Sequence, residues 1–263
     1  MSEPLFSTAA EGYDAAFAPV TRLFIPALLR AARIESGHHV LDVATGTGAA
    51  AEAAAAIVGP SGSVIGGDIS PSMLDVARRN LKGTGIALEL LDGQALRYGD
   101  GRFDAVICQL GLMFFDDQAL GLSEFRRVLR PGGWAAASVT PAPERSLFGR
   151  VGAVIGRLVP DKAALLGRFF SIPDAACFGG LLARAGFREI QVQSESREIA
   201  FASFDDYFKG IEEGAGLSGQ EYVRLPREQQ QAVREEVRRT LPQPAPGGPL
   251  VITFDILIGC GRK

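Results

Sequence analysis

The sequence predicts an α/β protein with a doubly wound, mostly parallel seven-stranded sheet, an antiparallel edge strand and a helical cap. Two observations predict this fold. Short apolar runs alternate with helical segments through the first half of the chain, and such alternation gives right-handed crossovers and parallel strands. The last two apolar runs, 188–200 and 250–258, are expected to form an antiparallel pair at one edge of the sheet.

The individual elements follow from apolar runs, helix caps and chain breakers. Strands are predicted at 39–44, 64–67, 87–91, 103–110, 134–140, 188–200 and 250–258. Helices are predicted at 7–17, 21–33, 48–58, from Ser70-Pro71, from Asp116 or Asp117, at 173–185, after Ser203 and at 226–240. We expect one integrated domain made of a helical cap segment (1–35), a ligand-binding core (36–140) and a remainder (141–263) that adds a lid, the last strands and specificity helices.

Composition limits the function classes. The chain has 263 residues, and its 27 Lys and Arg against 30 Asp and Glu give a net charge of −3, which argues against a cationic nucleic-acid-binding protein. The three cysteines are far apart without a Cys-x-x-Cys motif, so we expect free thiols and no metal site. The N-terminus lacks a secretory pattern, and no apolar run approaches the length of a membrane span. We therefore expect a cytoplasmic protein without integral membrane association.

Unusual residues follow the predicted strands. The loop Asp42-Val-Ala-Thr-Gly46-Thr-Gly48 follows the first strand, Asp68 the second, Asp92-Gly93 the third and Gln109 the fourth. Parallel open sheets bind ligands beyond the carboxyl ends of their strands. The three carboxylates are therefore expected to converge on one crevice.

The glycine loop alone is compatible with two ligands. Gly46-x-Gly48-x-x-Ala51 fits the dinucleotide fingerprint, and an acidic residue follows about 20 positions later. Asp42 lies four residues before Gly46, where a negative charge suits a cationic ligand better than a pyrophosphate. None of the four tyrosines has a Lys four residues later, as a hydride-transferring pair would require. An NAD(P)-dependent oxidoreductase nevertheless stays open as the alternative.

Five runs together carry a family resemblance: VLDVATGTG, GGDISPSML, LDGQAL, FDAVICQLGLMFFDD and EFRRVLRPGG. They resemble class I S-adenosylmethionine-dependent methyltransferases, and in particular the subgroup that includes the ubiquinone/menaquinone C-methyltransferases. The resemblance covers about 38–140 and implies a Rossmann-like fold with S-adenosylmethionine as cofactor. Ala44 departs from the pattern, since many members have Gly at this position.

The resemblance also implies roles for individual residues. Asp42 would order the first loop and its contacts to the methionyl ammonium, and Asp68 would bind the ribose. Other residues would bring backbone close to the cofactor (Ala44, Thr45, Gly46), pack on the adenine (Ile69, Met73), flank its edge (Asp92, Gly93), face the methyl-transfer zone (Gln109, Leu110) or close over the cofactor from the N-terminal helix (Tyr13).

The chemistry needs few catalytic groups. A sulfonium methyl is already activated, so the protein mainly aligns the acceptor and excludes water, which can supply up to about 7–11 kcal/mol. If the acceptor needs a base or an orienting group, Tyr13 and Tyr207 are candidates, with Asp14 and Glu144 as further ones. His38 and His39 precede the first strand, at the edge opposite the site, and are not expected to act in catalysis.

The segment 141–172, here called the lid segment, leaves the ligand edge and is rich in Phe and Leu. We expect it to cover a small, lipophilic or aromatic acceptor, with Phe148, Phe169 and Phe170 as candidates for the acceptor-facing wall. The sequence predicts no nucleic-acid partner and leaves a homodimer open. A non-catalytic protein that binds S-adenosylmethionine as a regulator is the second alternative.

Overall fold

A seven-stranded sheet forms the centre of the protein. The computed structural model describes residue 14 and residues 17–146, 149–242 and 248–263. The strands are β1 (His39–Val43), β2 (Ser63–Asp68), β3 (Ala87–Leu90), β4 (Phe103–Gln109), β5 (Leu129–Val139), β6 (Arg188–Phe201) and β7 (Leu250–Arg262). Their order in the sheet is β3-β2-β1-β4-β5-β7-β6.

The strand directions confirm the predicted fold class. Strands β1 to β5 pair in parallel, whereas β7 is antiparallel to both of its neighbours, β5 and β6. The antiparallel pair lies at one edge of the sheet, with β6 outermost and β7 inside it. Asp42 of β1 is in register with Gly66 of β2 and Ile107 of β4, so the carboxyl ends of these strands lie side by side.

Helices cover both faces of the sheet and its carboxyl edge. They are α1 (Ala18–Thr21), α2 (Ile25–Ala31), α3 (Ala49–Val58), α4 (Pro71–Asn80), α5 (Gln118–Val128), α6 (Gly149–Leu158), α7 (Ala163–Gly167), α8 (Ala175–Arg184), α9 (Phe204–Glu212), α10 (Gly216–Val223) and α11 (Arg227–Thr240). One buried apolar cluster joins the sheet to α2, α3 and the helices α6 and α9 to α11. A second cluster joins the opposite face to α5 and α8.

Local sequence signals position several of these helices. Ser70 begins α4 by accepting a hydrogen bond from the Met73 N–H at 3.4 Å, and Pro71 occupies the first turn. Asp117 and Ser203 begin α5 and α9 in the same way. Such side chains satisfy backbone N–H groups that the first helical turn leaves unpaired. The predicted starts of these helices are confirmed.

One predicted helix is not tested by the structure, and one observed helix was not predicted. The predicted N-terminal helix at 7–17 falls almost entirely on residues outside the described part of the chain. The helix α10 was not predicted, because its sequence GLSGQEYV has no amphipathic period; seven of its eight residues are buried.

Within the described residues, no single helix has the length and apolar character required to cross a membrane. The helical segments 160–170 and 175–184 pass that test only as a pair, and they are bent by 72° relative to each other.

Candidate functional site

A cavity of about 350 Å³ lies at the carboxyl edge of the sheet, between the strand ends and the helices above them. This volume is within the usual range of small-molecule sites. Its floor is made by residues that follow β1 to β5, and its roof by the lid segment and the start of α10. The cavity therefore lies at the predicted edge of the sheet. Of the three carboxylates expected to converge there, Asp68 and Asp92 line it, whereas Asp42 is buried and does not.

The loop after β1 brings backbone close to the cavity. Gly46 and Gly48 have φ values of 56° and 94°, in the left-handed region that favours glycine. A Cβ added to Gly46 would meet no atom within 4 Å, so the backbone conformation, and not the available space, requires glycine there. The Thr45 N–H donates to the Gly67 carbonyl at 3.0 Å, which joins the loop to β2.

Asp68 holds this loop in place from the end of β2. Its Oδ2 accepts a hydrogen bond from the Gly46 N–H at 2.8 Å, and its Oδ1 accepts one from the Ser70 N–H at 2.9 Å. The side chain lines the cavity, and each oxygen keeps a lone pair for a ligand. Burial raises the pKa of this carboxyl, although these backbone N–H groups oppose the rise.

Asp42 lies beneath the loop and is fully buried. Its Oδ2 accepts a hydrogen bond from the Thr45 hydroxyl at 2.7 Å, whereas Oδ1 has no hydrogen-bond partner among the described residues. Burial, with a smaller contribution from Asp68, raises the pKa of Asp42 to about 7. The charged form of a buried carboxyl group is costly when one of its oxygens has no hydrogen-bond partner. A nearby cation or a further hydrogen-bond donor stabilises that charged form.

The ends of β2 and β3 form one wall of the cavity. Asp92 accepts a hydrogen bond from the Gln94 N–H at 2.8 Å. A Cβ on Gly93 would come within 2.5 Å of the Phe115 ring, so the missing side chain at this position lets Phe115 pack against the strand end. Ile69 is 54% exposed, whereas Met73 is buried.

Gln109, at the end of β4, connects the sheet to the N-terminal helices. Its amide nitrogen donates to the Thr21 carbonyl at 3.2 Å, and its amide oxygen accepts from the Ser138 hydroxyl at 3.2 Å. Leu110 has a φ of 53°, and its N–H donates to the Ser138 hydroxyl at 3.0 Å. Ser138 thus fixes the chain as it leaves β4.

The far end of the cavity, which we call the acceptor chamber, contains four phenylalanine side chains. Phe114 and Phe169 meet edge to face with their ring centroids 5.1 Å apart. Arg168 donates to the Phe114 carbonyl and to Asp116, the latter at 2.7 Å. The acceptor chamber is lined by Phe17, Thr21, Met113, Phe114, Asp116, Thr140, Ser146, Gly149, Arg168, Phe169, Gly216, Leu217, Ser218 and Phe254.

The structure brings most of the predicted cofactor residues to the cavity: Ala44, Gly46, Asp68, Ile69, Met73, Asp92, Gly93, Gln109 and Leu110 all line it. Asp42 and Thr45 do not line it: Asp42 lies beneath the loop, and Thr45 is part of the loop. Tyr13 is outside the described residues, so its predicted role is not addressed.

The predicted substrate residues differ in their position relative to the cavity. Phe169 lines the cavity, whereas Phe170 packs against Gly149, where an added Cβ would lie 2.6 Å from its ring. Phe148 is outside the described residues. Tyr207 is buried among aromatic rings of β6 and α9 and is not part of the cavity lining; burial raises the pKa of its hydroxyl.

The sequence reasoning missed a second group of lining residues: Thr21, Gly216, Leu217, Ser218 and Phe254. The run of small residues at 214–219 was a signal for close packing, since a Cβ on Gly216 would lie 2.4 Å from the Phe17 ring. No comparable local signal marks Thr21 or Phe254.

Comparison with known proteins supplies the chemistry. Residues 40–133 match the family model described as a methyltransferase domain. A demethylmenaquinone methyltransferase of Deinococcus radiodurans is 34% identical over 181 residues, which cover 60% of this chain and 73% of that protein. The nocamycin O-methyltransferase of Saccharothrix syringae is 32% identical over 282 residues, which cover 98% of this chain and 97% of that protein.

Solved structures agree on the fold. A Bacillus halodurans protein assigned as a methyltransferase superposes with a TM-score of 0.64 at 22% identity, covering 91% of this chain and 98% of that one. These findings remove the support for the oxidoreductase and for the non-catalytic binding protein. The chain belongs to the class I S-adenosylmethionine-dependent methyltransferases, with S-adenosylmethionine as its cofactor.

Proposed function

We propose that the protein transfers the methyl group of S-adenosylmethionine to a small, lipophilic or aromatic acceptor by direct displacement. The observation that carries this proposal is the continuity of the cavity. It runs without a partition from the glycine loop after β1 to the acceptor chamber under the lid segment. One end offers carboxylates and backbone, and the other offers mostly apolar side chains.

The residues at the first end fit the cofactor. The unpartnered Oδ1 of Asp42 lies beneath the loop that would hold the cationic methionyl part. Asp68 keeps free lone pairs toward the cavity for the two ribose hydroxyls, and Met73 and Ile69 provide apolar surface for the adenine. Asp92 and Gly93 would border the edge of that ring.

The acceptor chamber suits a flat apolar molecule. Four Phe rings line it, together with Met113 and Leu217. The guanidinium group of Arg168 and the carboxylate of Asp116 form an ion pair at 2.7 Å, so these two charges balance each other. Thr140 donates to the Met113 sulfur at 3.4 Å and Ser146 accepts from the Gly149 N–H at 3.0 Å. Both hydroxyls line the chamber, where they would orient a polar substituent of the acceptor. The demethylmenaquinone and nocamycin methyltransferases among the relatives support a small organic acceptor.

When bound, S-adenosylmethionine supplies a methyl group on a positively charged sulfur, which leaves as a neutral thioether. The chain's own contribution is alignment and the exclusion of water. Gln109 and Leu110, fixed through Ser138, would face the acceptor from β4. Phe169 and Phe114 would enclose it from above. Alignment of this kind can lower a barrier by up to about 7–11 kcal/mol.

The first experiment compares ligands. Isothermal titration should show micromolar or tighter binding of S-adenosylhomocysteine and no heat with NAD⁺. Release of S-adenosylhomocysteine is then measured with phenol, catechol, 1-naphthol and 1,4-dihydroxynaphthalene as acceptors. We expect the bicyclic compounds to be methylated faster, because they fill more of the acceptor chamber. Turnover of small aliphatic amines in preference to all four would contradict the proposed acceptor class.

A further inference from the structure

Ala44 and Gly111 lie side by side in the cavity floor, and they are not the residue types that backbone conformation alone would select. Ala44 has a φ of 58°, in the left-handed region where an L side chain is strained and glycine is favoured. Gly111 has a φ of −106° and a ψ of −38°, which any residue adopts. Backbone preference alone would place glycine at 44 and allow alanine at 111.

Packing explains the glycine but not the alanine. A Cβ on Gly111 would lie 2.5 Å from the Ala44 Cβ and 3.0 Å from the Cys108 sulfur. The methyl group of Ala44, at the shorter distance, and the Cys108 sulfur together exclude a side chain at 111. Ala44 keeps its strained conformation because the loop around it is fixed, with Thr45 bonded to Gly67 and Gly46 bonded to Asp68. Strain that is maintained in this way is typical of functional sites.

The pair lies between the two ends of the cavity. Ala44 follows β1 and Gly111 follows β4, and these strands are neighbours. Most residues assigned to the cofactor, Ala44 among them, follow β1, β2 and β3, and Gln109 and Leu110 lie at the end of β4. The acceptor chamber is built from residues after β4 and β5, from the roof, and from Phe17, Thr21 and Phe254. Both Ala44 and Gly111 line the cavity. Leu110, directly before Gly111, is also in the left-handed region.

We propose that the Ala44–Gly111 pair determines acceptor specificity by fixing how closely an acceptor can approach the methyl-transfer position. The methyl group of Ala44 narrows, on the β1 side, the junction between the cofactor end of the cavity and the acceptor chamber. On the β4 side the junction stays open because Gly111 has no side chain. This assignment rests on the proposed function, since it places the acceptor next to β4.

The decisive variant exchanges the two residues, Ala44→Gly with Gly111→Ala. It preserves one methyl group at the contact but moves it to the β4 side, and it removes the left-handed alanine. We expect it to fold, with a small loss in Tm because the added Cβ at 111 still lies 3.0 Å from the Cys108 sulfur. S-adenosylhomocysteine affinity is measured alongside, and turnover is compared at saturating S-adenosylmethionine, because the resemblance assigns the Ala44 backbone to the cofactor. Its kcat/KM for the preferred acceptor should fall at least about tenfold. Gly99→Ala is the matched control, because an added Cβ there meets nothing within 4 Å.

The single variant Ala44→Gly sharpens the test. It widens the junction, so the ratio of kcat/KM for 1-naphthol over phenol should rise at least about fivefold. An exchange variant with wild-type kcat/KM and ratio would show that the pair only packs. A parallel loss of S-adenosylhomocysteine affinity would assign the pair to cofactor binding instead.

Failure of the proposed acceptor class gives a different result, namely no turnover of any aromatic probe by wild type. The pair is then tested by fluorescence titration of 1-naphthol into the protein saturated with S-adenosylhomocysteine. A Kd that differs at least about fivefold between wild type and the exchange variant supports the assignment. Equal binding, or binding to neither protein, overturns it.

Discussion

The strand-end region and the roof of the cavity are built in different ways. In the strand-end region, from Asp42 to Gln94, each carboxylate accepts hydrogen bonds from groups that are near in sequence or on the loop of the adjacent strand. Asp92, for example, accepts from Gln94 two residues away. In the roof, the contacts are distant. Arg168 bonds to Asp116, 52 residues earlier, and Phe254 reaches the same cavity from the last strand.

This difference has a functional meaning. A binding surface made by short loops on a parallel sheet is fixed when the sheet forms, and it is suited to a ligand that does not change. A surface assembled from distant helices can change its side chains without disturbing the sheet. The cofactor would bind to the strand-end region, which is fixed, and the acceptor would bind under the roof, which is variable. Substitutions in the two regions test this assignment separately.

The largest effect is expected from Asp68→Ala in the strand-end region. The substitution removes the acceptor of two backbone N–H groups and the proposed ribose contact. Each charge-assisted hydrogen bond contributes about 1.5–3 kcal/mol, so affinity for S-adenosylmethionine should fall about 10- to 100-fold in isothermal titration. Asp75→Ala removes an exposed carboxylate from the adjacent helix α4 and should leave the affinity unchanged. Wild-type affinity in a folded Asp68→Ala protein would contradict the placement of the ribose.

A second effect concerns pH and the buried Asp42. Its pKa is about 7 in the folded protein and near 3.9 in an unfolded chain, so the folded state holds a proton that the unfolded state has lost. The free energy of unfolding should therefore fall as pH rises between these values and level off above about pH 7. Relative to Asp42→Asn, which does not titrate, wild type should lose about 2 kcal/mol between pH 5 and pH 7, measured by chemical denaturation.

Thr45→Val provides the matched control for that experiment. It leaves the carboxyl in place but removes the hydroxyl that lowers its pKa, so the fall should continue to higher pH. Parallel pH dependence of wild type and Asp42→Asn would mean that Asp42 does not titrate in this window.

The roof should respond differently. Phe169 lines the cavity, whereas its neighbour Phe170 packs on Gly149. Phe169→Ala should lower kcat/KM for an aromatic acceptor about tenfold through lost contact and leave S-adenosylhomocysteine binding within about threefold. Phe170→Ala should mainly lower the Tm. Similar kcat/KM losses in both variants at equal stability would contradict the distinction between them.

Hydrogen exchange tests whether the lid segment closes over the bound ligands. The lid segment is expected to exchange faster than the sheet in the free protein and to become protected when cofactor and acceptor are both present. Protection equal to that of the sheet, without change on binding, would make the segment a fixed structural element.

The sequence predicted the strand-end region well because its signals are local. A strand end and a helix cap follow one another within a few residues, as in the stretch from Asp68 to Met73. The roof could not be predicted to the same depth. The apolar period of Phe204, Tyr207, Phe208 and Ile211 indicates the buried face of α9, but not that this face packs away from the cavity. Phe254 meets the cavity only because β7 returns beside β5. The left-handed conformations of Ala44 and Leu110 also escaped, since neither residue type signals them.

The smallest effect is expected at the opposite edge of the sheet, with His38 and His39. The His39 N–H donates to Asp104 at 2.7 Å, and its ring nitrogen Nδ1 bonds to the Ser63 hydroxyl at 2.7 Å. Ser63 and Asp104 stand at the beginning of β2 and β4, so both histidines lie at the amino ends of the parallel strands, away from the cavity. The double variant His38→Gln, His39→Gln should keep the rate of methyl transfer within about threefold, a barrier change under about 1 kcal/mol. A hundredfold loss at unchanged Tm would mean that chemistry takes place at the amino edge, and that the cavity at the carboxyl edge is not the active site.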